Sequence, residues 1–278
     1  MTPKDIVVFI EGAAGRDARL GFGAALAERW GAHLIATFVA DDLALHRHAG
    51  YAIGGGLASM MELHRQAVDE ACAAARAAFE AIAGGAALTR EWRVSENEIG
   101  EALMLHARHA GLAIVGPVLG RDEPTTVLSL SEDIVFASGR PTLVLPVDWP
   151  AARLPRRVVI GWNGSREATR AIADAIPFLI EAEAVHLVVV PEGKIRGLLG
   201  ADPGADISRH LARHGVAVTL TQLAGDDAGS LLLDHAHRHD ADLLVMGASG
   251  QSRISEFIFG GATRRILAHA KIPVLLAR

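Results

Sequence analysis

The chain has little cysteine, no long apolar run and no excess of positive charge, and each shortage excludes something. Its single cysteine, Cys72, cannot close an intramolecular disulfide, so a disulfide scaffold is excluded and a reducing compartment is permitted. In its Ala-rich surroundings Cys72 reads as a small buried hydrophobe. Apolar runs such as Val185 to Val190 and Leu243 to Met246 have strand length, far short of the roughly 18 residues of a membrane span. The opening MTPKDIVVFIEG carries too short an apolar core for a signal peptide and is expected to be the first strand of a cytoplasmic protein. Lys and Arg number 27 against 32 Asp and Glu, a net charge of -5, which leaves no global field to hold DNA or RNA. No low-complexity tract dominates. With 50% hydrophobic and 21% charged residues, the chain has the apolar material for a real core.

What is present is a repeat. Ile6 to Gly12 aligns with Val158 to Gly164, each an apolar strand ending in a polar residue and glycine before a helical pattern. Leu112 to Gly116 aligns with Leu243 to Gly247, and each half closes on an apolar strand, Pro141 to Leu145 and Pro273 to Leu276. The segment Pro146 to Pro155 contains three prolines that remove backbone donors, which places the linker there and the two domains at 1–147 and 155–278. Strands of the second half are expected near 157–161, 185–190, 216–221, 242–246 and 273–277, with helices between them such as that bearing Ala168, Ile172, Ile176 and Leu179. Continuous apolar strands alternating with helices predict α/β architecture: two tandem doubly wound domains, each a five-stranded parallel sheet covered on both faces. The long connection from Asp41 to about Ala67, with Gly54-Gly55-Gly56, reads as a mobile loop or lid.

The most informative stretch is Met246-Gly247-Ala248-Ser249-Gly250, which leaves an apolar strand and runs on to Gly260-Gly261-Ala262-Thr263 and a final helix. Glycines at the carboxyl end of a strand admit a close ligand, and the free amides of a helix start favour an anion. Two such turns can hold one polyphosphate. With this spacing of Gly247, Gly250 and Gly260 in a βα repeat, the chain resembles the universal stress protein family, in its tandem members that fuse two such units.

That resemblance implies a Rossmann-like sheet of the adenine nucleotide α-hydrolase type, and ATP, with or without Mg2+, bound in the second half. It assigns the three glycines to the phosphates and places Met246 and Ser249 at the ligand's border. Val190 matches the family's apolar contact to adenine, and Gly161, Trp162 and Asn163 follow the first strand where the family meets the nucleoside. Two positions depart from the pattern. Gly261 stands where Ser or Thr is usual, with Ala262 and Thr263 following, and Asn163 replaces an acidic residue. Asn still both donates and accepts hydrogen bonds.

In the first half Glu11 takes the place of Asn163, three residues separate Gly116 from Gly120, and Asp122 and Glu123 would repel phosphates. That half is expected to bind no ATP. His235, His237 and His239 read as a solvated helix face, since no HExxH pattern or further ligand is evident; no metal site and no catalytic residue is assigned. Ser165 lacks a nucleophile elbow, and Walker A is missing.

The leading expectation is a stress-response module whose conformation or choice of protein partner follows ATP occupancy. The alternatives are a nucleotide-free dimerising scaffold and a slow ATPase. An ATP-dependent ligase or pyrophosphatase would need a serine- and glycine-rich loop after the first strand, where Gly161 to Arg166 has none. The resemblance further implies pairing of the two repeats within one chain through terminal strands, and a homodimer of chains.

Overall fold

A computed structural model describes residues 2–11, 16–40, 56–82, 88–95, 101–117, 130–191, 202–248, 250–253 and 256–278. The first half runs β1 (Asp5–Ile10), α1 (Arg16–Trp30), β2 (His33–Val39), α2 (Gly56–Glu80), β3 (Arg90–Ser95), α3 (Glu101–Arg108), β4 (Leu112–Val115), α4 (Leu130–Ala137) and β5 (Thr142–Val144). The second repeats the plan with β6 (Arg157–Trp162), α5 (Arg166–Glu181), β7 (Ala184–Val189), α6 (Ala205–Arg213), β8 (Thr219–Gln222), α7 (Ala228–Arg238) and β9 (Leu243–Gly247). It then adds a hairpin, β10 (Gly250–Arg253) with β11 (Glu256–Phe259), before α8 (Gly261–His269) and β12 (Val274–Ala277).

The two halves share one sheet. Its ten strands run β3-β2-β1-β4-β5-β12-β9-β6-β7-β8, and neighbours are parallel except at the centre, where β5 and β12 pair antiparallel with Leu143 opposite Leu275. The two five-stranded parallel units expected from the sequence are joined edge to edge into one continuous sheet, because each half ends on an apolar strand whose free edge the other half covers. Successive residues of the strands enter different cores: Ile6, Val8 and Ile10 pack on one face, Val7 and Phe9 on the other. Burial on both faces is what turns these sequences into uninterrupted apolar runs.

Helices also cross the boundary. Trp30 at the end of α1 meets Phe178 of α5 edge to face at 4.8 Å between ring centres, and Arg29 Nε donates to Glu181 at 2.9 Å. The proline-rich segment is in neither helix nor strand, yet it is no loose tether. Trp149 is buried and donates through Nε1 to the Arg153 carbonyl at 3.0 Å, with the Arg153 guanidinium stacked 4.9 Å from the ring.

The loop expected over 41–67 is shorter than the sequence suggested, since residues 56–67 belong to the 25-residue helix α2. Its charges are spaced to support it: Arg65 bonds Glu62 at 2.8 Å and Asp69 at 3.2 Å, one turn away on either side. Gly54 and Gly55 lie outside the described residues. Among the described residues no helix is long and apolar enough to cross a membrane.

Candidate functional site

In the second half the strand order reverses between β6 and β9, and a crevice opens at the carboxyl ends of strands where order reverses. After β6 the chain turns through Asn163, Gly164 and Ser165. Gly164 has φ +74°, in the left-handed region that favours glycine. The Ser165 N–H donates to Asn163 Oδ1 at 3.1 Å, and Ser165 Oγ in turn accepts the Ala168 N–H at 3.1 Å, capping α5. Asn163 therefore spends its oxygen on the turn, which leaves its amide nitrogen as the group to meet a ligand acceptor.

The crevice is a cavity of about 280 Å³. Gly161, Trp162 and Asn163 form one side, Val188 and Val190 the wall from β7, Met246 and Gly247 the floor from β9, and Gly260, Gly261, Ala262 and Thr263 the far end. Ala228 and Leu232 of α7 complete it. Of the residues singled out from the sequence, ten share this cavity. Gly250 instead opens β10, opposite Phe259, and Ser249 lies outside the described residues. Val188, Ala228 and Leu232 escaped sequence reading. Ala228 and Leu232 are four apart on α7, an apolar pair indistinguishable by spacing from ordinary core contacts.

One end of the cavity suits an anion. Helix α8 starts at Gly261 with Gly260 as its N-cap, and no side chain caps it, so first-turn amides and the positive end of the helix dipole face the crevice. Thr263 is buried and its Oγ1 has no hydrogen-bond partner among the described residues. Such an orphan hydroxyl costs about 1–3 kcal/mol unless a ligand or solvent satisfies it. Helix α7 is tied to α8 beside this end. Asp227 accepts the Ser230 N–H at 3.0 Å and its hydroxyl at 2.7 Å, and Arg265 reaches Ser230 Oγ at 2.9 Å and Asp227 at 3.4 Å. Those bonds from Ser230, with the Arg265 charge adding to them, hold the Asp227 carboxyl below its ordinary range.

The glycines differ in purpose. A Cβ on Gly247 would lie 2.4 Å from the Ala168 backbone nitrogen, so glycine is needed there for strand β9 to pack on α5, in addition to any approach by a ligand. At Gly261 a Cβ would meet nothing within 4 Å.

The corresponding place in the first half is filled. Arg19 of α1 is buried over Gly116, where a Cβ would come within 2.7 Å of its guanidinium, and Ser131 Oγ donates to the Gly116 carbonyl at 2.9 Å. Burial lowers the Arg19 pKa, opposed in part by Glu11. Gly12, Gly120, Asp122 and Glu123 lie outside the described residues.

The histidines of α7 depart from the expected solvated face. His237 is exposed, but His235 is buried and faces His186 of β7, with ring centres 5.3 Å apart. His239, just past the helix end, closes a triangle at 4.2 Å from His186 and 4.3 Å from His235. Burial, and then the neighbouring rings and Arg238, push His235 down to about 4; burial and His239 lower His186. His186 is the member sequence reading missed, since a lone histidine in an apolar strand carries no spacing signal.

The sequence profile of the universal stress protein family matches residues 155–278. The C-terminal half belongs to the universal stress protein family. A stress response protein of Bacillus subtilis is 39% identical over 56 residues, covering 20% of this chain and 33% of the relative. A universal stress protein of Synechocystis sp. is 28% identical over 157 residues, 53% of this chain and 50% of the relative. The chain spans 33% to 56% of the length of the curated relatives it matches. The crystal structure of a universal stress protein from Archaeoglobus fulgidus overlays 100% of this chain and 99% of its own at a TM-score of 0.67 and 13% identity. That likeness extends the universal stress protein fold to the first half as well.

Proposed function

We propose that the universal stress protein half binds an adenine nucleotide, ATP with Mg2+, in the crevice between β6 and β9, and that the chain is a nucleotide-responsive regulatory module. The observation that carries this reading is the meeting, in one cavity, of an apolar wall with the uncapped start of α8 and the unpartnered Thr263 hydroxyl. A flat aromatic base suits a wall of Val188, Val190, Leu232 and Met246, and phosphates suit amides and a hydroxyl. The described lining contains no Asp, Glu, His, Lys or Cys to act as general base, which favours retention of the nucleotide over its turnover. The first half, residues 1–147, is proposed to be silent toward ATP, its Gly116, the counterpart of Gly247, being covered by Arg19.

Calorimetry of MgATP with the full chain tests the reading. One site per chain is expected, with Thr263→Val weakening it about tenfold, the loss of one hydrogen bond to a charged group. Absence of binding would sink the proposal and favour a nucleotide-free scaffold. Two sites per chain would refute the silence of the first half.

A further inference from the structure

Strand β7 and helix α7 each touch the nucleotide crevice with one part and the histidine triangle with another. Along α7 the lining residue Leu232 is followed three residues later by His235, and His239 caps the helix end. None of the three histidines is among the residues that line the crevice, and nothing in the nucleotide reading uses them.

We propose that His186, His235 and His239 form a binding site for a divalent transition-metal ion of the zinc class. One ligating nitrogen from each ring lies within 4.8 Å of the other two. Zinc bonds to imidazole at about 2.0–2.1 Å, so a tetrahedral ion asks for nitrogens about 3.3 Å apart, a closing that small turns of the rings supply. A second observation points the same way. His186 Nδ1 and His235 Nε2 are both buried and have no hydrogen-bond partner among the described residues. Two buried, unpartnered ring nitrogens on neighbouring imidazoles are lone-pair or N–H groups that a bound cation would satisfy.

The local chain path makes the arrangement. His235 lies in the last turn of α7 and His239, its C-cap, follows one turn later with its N–H on the His235 carbonyl, while His186 stands on β7 in register between Val159 of β6 and Thr219 of β8. Three imidazoles without a carboxylate suit zinc, cobalt, nickel or copper, whereas magnesium and calcium prefer oxygen. His239 is exposed, so the fourth coordination position opens to solvent and takes a water molecule. A bound ion would clamp β7 to α7, two walls of the nucleotide crevice.

The test is a titration of the untagged full-length chain with Zn2+, with a parallel titration with Co2+ read by visible absorption. One Zn2+ per chain is expected, weakened at least about tenfold by His239→Ala at the exposed corner and by His186→Gln. Co2+ should give the strong visible bands of a tetrahedral site, lost in the same variants. The exposed pair His210 and His214, 4.8 Å apart on and just beyond α6, is the competing surface site, and His210→Ala should leave binding unchanged. Binding that survives His239→Ala and His186→Gln, or is removed by His210→Ala, overturns the proposal, as does the faint spectrum of octahedral cobalt. Circular dichroism of each variant confirms that a loss of binding is not a loss of fold.

Discussion

Leu143 and Leu275 face one another across the antiparallel seam, and neither has any exposed surface. Among the described residues this is the one antiparallel step in the ten-stranded sheet, flanked by Val144 opposite Val274 and Thr142 opposite Leu276. The last strands of the two halves thus meet in one buried seam. The isolated segment 155–278 would leave β12 as an apolar edge strand, which invites pairing with a second copy. Expressed alone, it should elute as a dimer in light scattering while the full chain does not use that edge. A strictly monomeric segment would show that β12 is not the adhesive edge.

Substituting Gly247→Ala should destabilise the protein by about 1–3 kcal/mol, the ordinary cost of forcing atoms into a filled core. The added methyl would collide with the Ala168 and Glu167 backbone rather than with a flexible side chain, so α5 must shift. Urea denaturation measures this, and an unchanged midpoint would refute the packing role.

Gly261→Ser has the opposite expectation. Space exists for the side chain, and a hydroxyl at the start of α8 would add one donor at the anion end of the crevice. MgATP affinity should rise about three- to tenfold in calorimetry, the worth of one further hydrogen bond. Weaker binding would show that phosphates do not sit there.

Asp227 should impart acid sensitivity to the α7–α8 corner. Its carboxyl is held below its ordinary 3.8 by Ser230 and, less strongly, by Arg265, so its stabilising contribution is present above that value and is lost as pH falls through the lower, folded one. In Asp227→Asn this part of the acid limb should flatten in thermal melts taken between pH 5 and pH 2, as the neutral amide does not titrate. An acid limb of unaltered slope would exclude the group.

Much of the fold was legible because local and global signals agree. The apolar runs, the prolines of residues 146–155 and the glycine at each βα turn all point to repeated βα units, and every expected strand of the second half is present. The seam was anticipated only as pairing between repeats, since nothing in Thr142 to Val144 distinguishes a strand that borders another half from one that borders solvent. The crevice was legible where backbone chemistry shapes it, at Trp162, Asn163 and Gly260 to Thr263. Its remaining wall was not, because Val188 and Leu232 look like any core residue until the sheet sets them side by side. Arg19 and His186 illustrate the same limit: each acts through a neighbour far away in sequence, Gly116 or His235, and periodicity holds no trace of such distance.

A sheet continuous through β5 and β12 also governs how a bound ligand could make itself felt. Swinging one half against the other would tear backbone hydrogen bonds at the centre of the sheet, among residues with almost no exposure. The hairpin β10–β11 and helix α8 are anchored differently, since the hairpin forms its own small sheet beside the crevice. An occupant would therefore make itself felt locally, at helix α8, whose first turn lines the crevice, rather than through the frame beneath it.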